Sequence, residues 1–446
     1  MRFALLCSVI GMLIGGCQST NPNFQEEAQQ PDWLHQSMDK VTEVIVHDIF
    51  SPPVASRIYA YTSIAAYEAL QPGSPEYVSF AGQLHDLSSV PAPEVGQEYC
   101  FPLASVHALL TTGKALIFSE DKIEDFQQEL YDRFRALDMP EAVYDRSIAY
   151  GQLVSDTILA WADRDMYKQT RTYPKFSLAD NPERWSPTPP DYMDGIEPHW
   201  REIRTFVLDS AEQFKPAPPT PFDLDEKSKF YEELMEVYHA LDVDREERTA
   251  IAKFWDCNPY VSTHIGHVMT ASKKITPGGH WMGIAKIAAQ KTDADLPRAA
   301  QTYAMTAIAL ADGFISCWDE KYRSVLVRPE TVINTKYDED WLPLLQTPPF
   351  PEYTSGHSVI SRAAAVTLTH LYGDNFSFLD STEVAYGLPA RSFDSFYHAS
   401  EEAAVSRLYG GIHYRPAIDE GVKQGEQVGK FIVQELDVTA APMSLK

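Results

Sequence analysis

The feature that most constrains this fold is the spacing of apolar residues at intervals of three and four along most of the chain. In Arg57–Leu70 (RIYAYTSIAAYEAL) this spacing predicts a helix that stops at the breakers Gln71-Pro72-Gly73. The same pattern predicts further helices at Ser105–Phe118, Lys122–Leu137, Glu141–Asp163, Asp225–Leu241, Arg245–Trp255, Ser262–Lys273, Met282–Lys291, Arg298–Tyr322, His357–Leu371, Phe396–Tyr409 and Glu420–Leu436. No convincing run of alternating apolar and polar residues predicts a strand. The sequence therefore indicates an all-α protein of packed helical bundles.

The charge balance limits the partners. The 446 residues contain 37 Lys and Arg against 63 Asp and Glu, a formal net charge of -26. A surface of that sign repels a phosphate backbone, so we expect no nucleic-acid partner. If the protein binds an anion, it must gather its few cations in one pocket. Clusters of Lys and Arg are therefore the places to search for a site.

The N-terminus has the pattern of an export signal. Arg2 precedes an apolar stretch, Phe3–Ile14, that is too short to span a bilayer with normal margins. The export signal ends in Leu13-Ile14-Gly15-Gly16-Cys17. This sequence resembles the bacterial lipobox, whose Cys is acylated and becomes the mature N-terminus. We expect residues 1–16 to be a lipoprotein signal peptide and the lipidated Cys17 to be the membrane anchor, with an ordinary cleaved signal as the alternative. Either way the protein is exported; as a lipoprotein it belongs to the cell envelope, periplasmic or at the cell surface.

Two regions interrupt the helical pattern. Residues 17–40 are polar with little periodicity, which is typical of a tether, so we place a single all-α domain at residues 41–436. The second region, Tyr173–Pro221, is rich in Pro and Trp and indicates either a linker between two domains or an ordered arm over one body. The arm is favoured because its aromatic side chains need burial: Trp185, Tyr192, Trp200 and Phe206.

Three cysteines remain after export, Cys100, Cys257 and Cys317. No pair of them has the spacing of a metal-binding or redox motif, so a zinc site built on cysteine is not expected. One internal disulfide is the most they can form, and the sequence does not decide whether they form it.

Three clusters near the C-terminus carry the chemistry. The first, KYRSVLVRP, places Lys321 and Arg328 seven positions apart, which is one helix face if the helix continues. The second, FPEYTSGH, ends in Ser355, Gly356 and His357 where a helix begins, and exposed amides at a helix start bind anions.

The third cluster, SRLYGGIH, contributes Arg407 and His413. Each cluster alone is a weak signal, because charged pairs are usually solvated, Ser-Gly-His is a common cap and a lone His is usually structural. Together they offer two Arg, one Lys, amides and two His around one tetrahedral oxyanion.

The combination, in this order, resembles the three-part signature shared by vanadium-dependent haloperoxidases and type 2 phosphatidic-acid phosphatases. Pro52–Leu70 (PPVASRIYAYTSIAAYEAL), the WSPTPP arm and Cys317–Tyr322 (CWDEKY) resemble the bacterial haloperoxidase branch, so the similarity extends from about Val44 to Ile432. The resemblance implies an all-α fold of two packed four-helix bundles with additional helices, with the active-site motifs in residues 318–419.

The resemblance also implies residue roles. His413 matches the covalent vanadium ligand, and His357 matches the acid–base residue. The groups that match those hydrogen-bonding the vanadate oxygens are Lys321, Arg328, Ser355, the Gly356 amide and Arg407. Trp318 and Phe350 match positions along the halide or oxidant approach, with ordinary core packing as the alternative, and Tyr260 is a further candidate donor. The histidines that we interpret as structural are His264, His267, His280 and His398.

The spacing is similar to that of bacterial iodoperoxidases. The resemblance implies that hydrogen peroxide is activated on vanadate and oxidises a halide, iodide before bromide, to a hypohalous equivalent, with an unknown organic acceptor. The first alternative is an exported acid phosphatase that needs no cofactor and uses His413 as nucleophile. The second is a non-catalytic anion-binding lipoprotein.

One position departs from the phosphatase pattern. Four residues after its second His the phosphatase signature has an Asp that orients the imidazole, and here that residue is Ala417. An imidazole without a carboxylate partner is a poorer nucleophile, which counts against phosphoryl transfer. Asp419 can substitute only if the preceding segment bulges.

Overall fold

The structure is a computed structural model that describes residues 20–265 and 267–438. The predicted signal peptide, residues 1–16, and Cys17 lie outside the described residues. Among the described helices, none combines the length and the apolar character needed to cross a membrane.

The described residues form fifteen α-helices, numbered in chain order: α1 (Phe24–Glu27), α2 (Asp32–His47), α3 (Pro52–Leu70), α4 (Phe101–Leu116), α5 (Glu120–Arg135), α6 (Glu141–Ala162), α7 (Tyr167–Thr170), α8 (Lys229–Tyr238), α9 (Arg245–Phe254), α10 (Pro277–Lys291), α11 (Leu296–Ser324), α12 (Pro329–Lys336), α13 (Gly356–Tyr372), α14 (Phe396–Tyr409) and α15 (Arg415–Glu435). Short 3₁₀ helices lie at Gln71–Gly73, Trp200–Glu202 and Thr382–Tyr386. Apart from one segment, every predicted helix is present.

The helices pack as two bundles that share a long central helix. In the first bundle α3 packs on α4 and α6, with α2 and α5 against α4. In the second, α13 packs on α11, α14 and α15, with α10 against α11. Helix α11 contacts both α3 and α13, so it joins the two bundles. The prediction of an all-α fold built from two helical bundles with additional helices is confirmed.

Helix α11 owes its position to an uninterrupted buried surface. Its start is capped by Asp295, whose side chain accepts the backbone N–H of Arg298, and Pro297 fits the first turn. Nearly every side chain from Leu296 to Lys321 is buried, as expected for a helix enclosed by two bundles. The helix ends at Ser324, and the residue that caps it, Val325, has a left-handed backbone (φ 50°). The buried end of this helix carries part of the site.

The predicted helix at Ser262–Lys273 is wrong. That segment is an antiparallel ribbon of β1 (Tyr260–Ile265) and β2 (Val268–Lys273). β-Branched residues at alternate positions from Val261 to Ile265 favour the extended backbone. The helix prediction considered only the spacing of apolar residues and gave no weight to this β-branched pattern. A second antiparallel ribbon pairs β3 (Phe378–Asp380) with β4 (Arg391–Phe393).

The predicted tether at residues 17–40 is wrong from Phe24 onward. Helix α2 begins at Asp32 and packs on α4 and α5, with Trp33, Leu34 and Met38 buried. These side chains lie on one helix face, and the Gln- and Pro-rich surroundings obscured that pattern. The folded body therefore starts well before residue 41.

The segment Tyr173–Pro221 is an ordered arm. Trp185, Trp200 and Phe206 are each only 1% exposed, whereas Tyr192 is 64% exposed, so the expectation of burial fails for Tyr192 alone. The arm is fixed to α11 by Asp312, whose carboxylate accepts the consecutive backbone N–H groups of residues 206–208 at 2.7, 2.8 and 3.0 Å. The cysteines Cys100, Cys257 and Cys317 are buried free thiols, so no disulfide joins them.

Candidate active site

The three sequence clusters meet at one place in the second bundle. The end of α11, the starts of α12 and α13, and the turn between α14 and α15 converge there. They surround a cavity of about 530 Å³. The predicted site residues that line this cavity are Gly356, His357, Arg407, His413, Trp318, Phe350 and Tyr260. Arg328 lies directly behind His413 and is fully buried.

Arg328 reaches the site differently from the prediction. The prediction that it shares a helix face with Lys321 is wrong, because α11 ends at Ser324 and Arg328 is the N-cap of α12. Its Nη1 donates to the Ile412 carbonyl at 2.7 Å and to Nε2 of His413 at 3.1 Å. Its Nη2 is buried and has no partner among the described residues. This N–H group is therefore available to an anion.

Lys321 is fully buried in the last turns of α11. Its Nζ donates to the backbone carbonyls of Pro351 at 3.0 Å and Glu352 at 3.1 Å, and also to that of Thr354. Burial lowers the pKa of Lys321 to about 8. Its ammonium group thus holds the loop of residues 351–354 and adds positive charge, while a direct contact with a bound oxyanion stays a prediction.

Ser355 and Gly356 form the start of α13. Ser355 is the N-cap, and its Oγ accepts the backbone N–H of Ser358 at 3.3 Å. A Cβ on Gly356 would lie 3.6 Å from the ring of Trp318, so a larger residue would narrow the cavity. The helix start therefore faces the cavity, where its dipole favours an anion.

His357 and Arg407 share the Trp255 backbone as a partner. Arg407 donates Nη2 to the Trp255 carbonyl at 2.6 Å, and His357 also hydrogen-bonds the Trp255 backbone. The His357 Nε2 atom is buried without a partner among the described residues. Burial, reinforced by Arg407, lowers the pKa of His357 well below its usual value. A neutral imidazole with one free nitrogen therefore faces the cavity.

His413 is held at both ring nitrogens. Nδ1 lies 2.8 Å from Oε1 of Glu352, and Nε2 lies 3.1 Å from Nη1 of Arg328. A guanidinium can only donate, so Nε2 must present its lone pair and Nδ1 must carry the proton. Burial and the charges of Arg328 and Lys321 lower the pKa of His413 well below its usual value, in agreement with a neutral ring.

Glu352 is the functional residue that the sequence analysis missed. It is fully buried, and burial raises the pKa of its carboxyl to about 7. Its Oε1 also accepts the backbone N–H of Tyr414 at 2.9 Å. The sequence leaves open whether Asp419 replaces the missing Asp at Ala417; it does not, because Asp419 is exposed in the field of Arg415 and Lys423. The carboxylate comes instead from the second cluster.

One wall of the cavity is aromatic and apolar. Trp318 and Phe350 pack against each other with ring centroids 4.9 Å apart and ring planes tilted by 52°, and Tyr260 lies nearby in β1. The arm contributes Met193 and Ile196 to the same wall, which no sequence motif indicated. All three predicted halide-pocket residues therefore line the cavity, and their roles stay predictions.

A second buried imidazole lies close by. The Nε2 atom of His280 is 2.7 Å from Asp380, and its Nδ1 is 3.1 Å from Glu383 and 3.4 Å from Cys257. Burial alone would lower the pKa of His280, but Asp380 and then Cys257 raise it well above its usual value. The ring is therefore an imidazolium between two carboxylates, with all its polar atoms partnered. Of the other histidines interpreted as structural, His267 and His398 are exposed.

The side chain of His264 lies outside the described residues.

The chemistry of the site suits a tetrahedral oxyanion. Arg407 and the start of α13 line the cavity, and the buried cations Lys321 and Arg328 lie behind it. The lining also includes the carboxylates of Asp191 and Asp256, and Glu352 is turned to His413. Unpartnered N–H groups and a cationic lining bind oxyanions, whereas a bare metal cation needs carboxylates.

Comparison with known proteins agrees with this chemistry. The family model of the VCPO second helical-bundle domain matches residues 301–440. A solved structure described as the first bacterial vanadium-dependent iodoperoxidase is 54% identical, with a TM-score of 0.88, and the match covers 93% of this chain and 98% of that chain. No curated protein sequence matches the chain significantly.

More distant structures share the fold. A holo-type bacterial vanadium-dependent chloroperoxidase is 17% identical with a TM-score of 0.67, over 94% of this chain and 96% of that chain. An apo-type bacterial vanadium-dependent chloroperoxidase is 16% identical with a TM-score of 0.66, over 86% of this chain and 95% of that chain. An identity of 54% over 93% of the chain shows family membership as well as a shared fold, so the chain belongs to the family of vanadium-dependent haloperoxidases.

Proposed function

We propose that this protein oxidises iodide, and bromide less readily, with hydrogen peroxide, using vanadate as its resident cofactor and releasing a hypohalous equivalent. The observation that carries the proposal is the lone pair on Nε2 of His413, presented inside a buried, cation-rich site. The 54% identical structure, described as an iodoperoxidase, supports the choice of halide.

The residues present fit vanadate. The neutral ring of His413 offers one nitrogen ligand, and the unpartnered Nη2 of Arg328 offers a hydrogen bond to an oxygen atom. The unpartnered Nε2 of the neutral His357 ring is an acceptor for a proton on a bound oxygen. Arg407 and the start of α13 add positive charge at the cavity wall. Vanadate carries negative charge on oxygen, so the buried cations stabilise it. When bound, vanadate supplies Lewis-acid activation of hydrogen peroxide.

The protein contributes proton transfer and charge. His357 takes a proton from hydrogen peroxide at Nε2, because this nitrogen is unpartnered and its ring is neutral. Lys321, Arg328 and Arg407 stabilise the negative charge that develops on oxygen as the halide attacks. Their burial excludes water, which strengthens each of these interactions.

Iodide suits the cavity for two physical reasons. It is the most weakly hydrated and the most easily oxidised of the three common halides. The wall formed by Trp318, Phe350 and Phe314 offers little solvation, which penalises strongly hydrated chloride more than iodide. Arg407 in the lining and the buried Arg328 and Lys321 behind it attract an anion into a protein whose net charge is -26.

One argument against the phosphatase alternative no longer holds, and two others remain. Glu352 partners His413, so the absence of an Asp at Ala417 no longer argues against a histidine nucleophile. The aromatic wall of the cavity and the similarity to an iodoperoxidase over 93% of the chain still favour halide oxidation.

The test measures triiodide formation by metal-stripped protein with hydrogen peroxide, before and after orthovanadate is added. Bromide oxidation and phosphomonoester hydrolysis run in parallel. We expect vanadate-dependent iodide oxidation and no phosphate release. His398→Ala, which changes an exposed histidine on α14, should behave as the wild type. Phosphate release that orthovanadate inhibits, without halide oxidation, would establish the phosphatase instead.

We also propose that Cys17 carries a lipid that anchors the exported protein in the cell envelope. The lipobox-like sequence before Cys17 supports this. Mass spectrometry of the N-terminal peptide from membrane fractions should find an acylated Cys17, and Cys17→Ser should release the protein. An unmodified N-terminus at a neighbouring residue would indicate an ordinary signal peptide.

A further inference from the structure

The orientation of His413 has an unexpected source. In the phosphatase form of the signature an Asp four residues after the histidine holds the ring, and here Ala417 stands at that position. The ring is nevertheless held: Nδ1 of His413 lies 2.8 Å from Oε1 of Glu352, which comes from a segment 61 residues away. The chain therefore has a carboxylate on this imidazole, contributed by the second cluster.

The hydrogen bonds allow one arrangement of the ring. Oε1 of Glu352 also accepts the Tyr414 backbone N–H at 2.9 Å, so this oxygen is an acceptor toward both neighbours. Arg328 donates to the opposite ring nitrogen at 3.1 Å. With a donor at Nε2 and an acceptor at Nδ1, the proton is fixed on Nδ1 and the lone pair of Nε2 faces Arg328 and the cavity.

Glu352 is itself fixed in place. Its backbone carbonyl accepts a hydrogen bond from Lys321 at 3.1 Å, and its side chain is fully buried. The neighbouring Phe350 carbonyl accepts from Nε of Arg328 at 3.0 Å. Two cations of the site therefore hold the loop that carries the carboxylate, so the position of the His413 ring depends on the same cations that surround the cavity.

We propose that Glu352 is a positioning residue that replaces the missing Asp. It keeps His413 in the tautomer whose Nε2 lone pair binds vanadium. This inference rests on the proposed function, since it concerns how the site receives vanadate. Partners of this kind fix the orientation and basicity of ligating histidines, and their loss usually weakens metal binding about 10–100-fold.

A purely structural role is the competing explanation, because Glu352 also satisfies the Tyr414 N–H group. The two roles differ in their effect on two anions. Orthovanadate needs the Nε2 lone pair, whereas inorganic phosphate uses the same cations without forming a bond to nitrogen. A positioning role therefore predicts a selective loss of vanadate affinity, and a structural role predicts loss of both.

The experiment measures dissociation constants of orthovanadate and inorganic phosphate for the metal-stripped full chain by isothermal titration calorimetry. We expect Glu352→Ala to weaken vanadate binding about 10–100-fold and phosphate binding less than about threefold. Glu352→Gln, whose amide oxygen can still accept from Nδ1, should weaken vanadate binding less than about tenfold. Adding Ala417→Asp to Glu352→Ala should recover at least about tenfold, because it returns a carboxylate to the family position.

A matched control is Glu68→Ala in the first bundle. Glu68 is also a buried glutamate that accepts a backbone N–H, that of Phe80 at 2.6 Å, but it lies outside the site. It should leave both dissociation constants unchanged. Nitrogen-15 spectra of histidine-labelled wild-type protein give a second readout that needs no variant, and we expect the His413 proton on Nδ1.

Each result decides the matter. Equal vanadate affinity in Glu352→Ala and wild type, parallel loss of both anions without rescue by Ala417→Asp, or a wild-type His413 proton on Nε2 overturns the inference and leaves the proposed function standing. Failure of the wild-type protein to bind orthovanadate overturns the proposed function and this inference together.

Discussion

Two buried histidines of the second bundle each have one ring nitrogen against a carboxylate, but their other ring nitrogens face groups of opposite charge. His413 and His280 each place one ring nitrogen against a carboxylate, Glu352 at 2.8 Å and Asp380 at 2.7 Å. The other nitrogen of His413 faces Arg328, whereas that of His280 faces Glu383. The first ring is therefore neutral, with the lone pair of Nε2 directed at Arg328, and the second is a charged ring that donates from both nitrogens.

The difference shows that burial and a carboxylate do not by themselves make a ligand. The charge at the second nitrogen decides whether the ring binds a metal or serves as a cation. A Cys257 thiol lies 3.4 Å from His280, so this cluster has the atom types of a metal site. Its two carboxylates instead hold a proton on each ring nitrogen. The contrast therefore predicts opposite results when each histidine is removed.

The largest effect is expected from His413→Ala. Loss of the single nitrogen ligand should remove vanadate-dependent iodide oxidation and weaken vanadate binding by more than about 100-fold, beyond the loss expected for an outer partner. Titration calorimetry with orthovanadate and the triiodide assay measure the two effects. Retention of wild-type affinity would break the contrast, because His413 would then be no more a ligand than His280.

His357→Ala should separate binding from turnover. The variant loses the neutral imidazole that moves a proton, so we expect kcat to fall about 10²- to 10⁴-fold. Vanadate affinity should change far less, because His413 still supplies the metal ligand. Steady-state kinetics of iodide oxidation at saturating vanadate measure this effect. An unchanged kcat in the variant would show that His357 takes no part in the mechanism. If the wild-type protein itself binds anions but shows no turnover, the protein is a non-catalytic anion-binding lipoprotein.

His280→Ala should affect stability and leave the cofactor site intact. Removing the cation leaves the buried carboxylates of Asp380 and Glu383 without a counter-charge, at a cost of about 3–5 kcal/mol in the free energy of unfolding. Urea unfolding followed by circular dichroism measures the loss. The variant that remains folded should bind orthovanadate as the wild type does. Selective loss of vanadate binding with normal stability would reverse the assignment of the two rings.

The smallest effect is a difference in titration. The raised pKa of His280 means that its contribution to stability is complete below about pH 6.5 and is lost as the pH rises through the folded-state pKa. The lowered pKa of His413 means that stability falls as the pH drops below about 6.5, since only the unfolded chain takes up that proton. Nuclear magnetic resonance of labelled histidines should find His280 charged and His413 neutral at about pH 6.5. Two rings titrating together near that pH would contradict the contrast.

The sequence predicts which clusters meet at the site, but it does not predict the helix end and the distant contact that hold individual residues there. The short clusters around Ser355 and Arg407 contain their own helix signals, so their meeting could be predicted from local pattern and resemblance. Arg328 lies beside His413 without the continuous helix that the sequence suggested, because the left-handed backbone at Val325 ends α11 before it. Glu352 could not be recognised as a partner, since its contact with His413 joins residues 61 positions apart.

The fold shows the same division between local and distant information. The sequence predicts helices such as α6 and α14 within a residue of their observed ends. The ribbon at Tyr260–Lys273 was missed because short apolar segments fit helix and strand alike, and its pairing depends on the partner strand. Helix α2 was missed because polar composition outweighed its apolar face.

The most direct test of the central claim is diffraction above and below the vanadium K edge from crystals soaked in orthovanadate. We predict one anomalous difference peak at bonding distance from Nε2 of His413 and beside Arg328, with none at the His280 cluster. A vanadium peak away from His413, in crystals that contain one vanadium per chain by elemental analysis, would contradict the account.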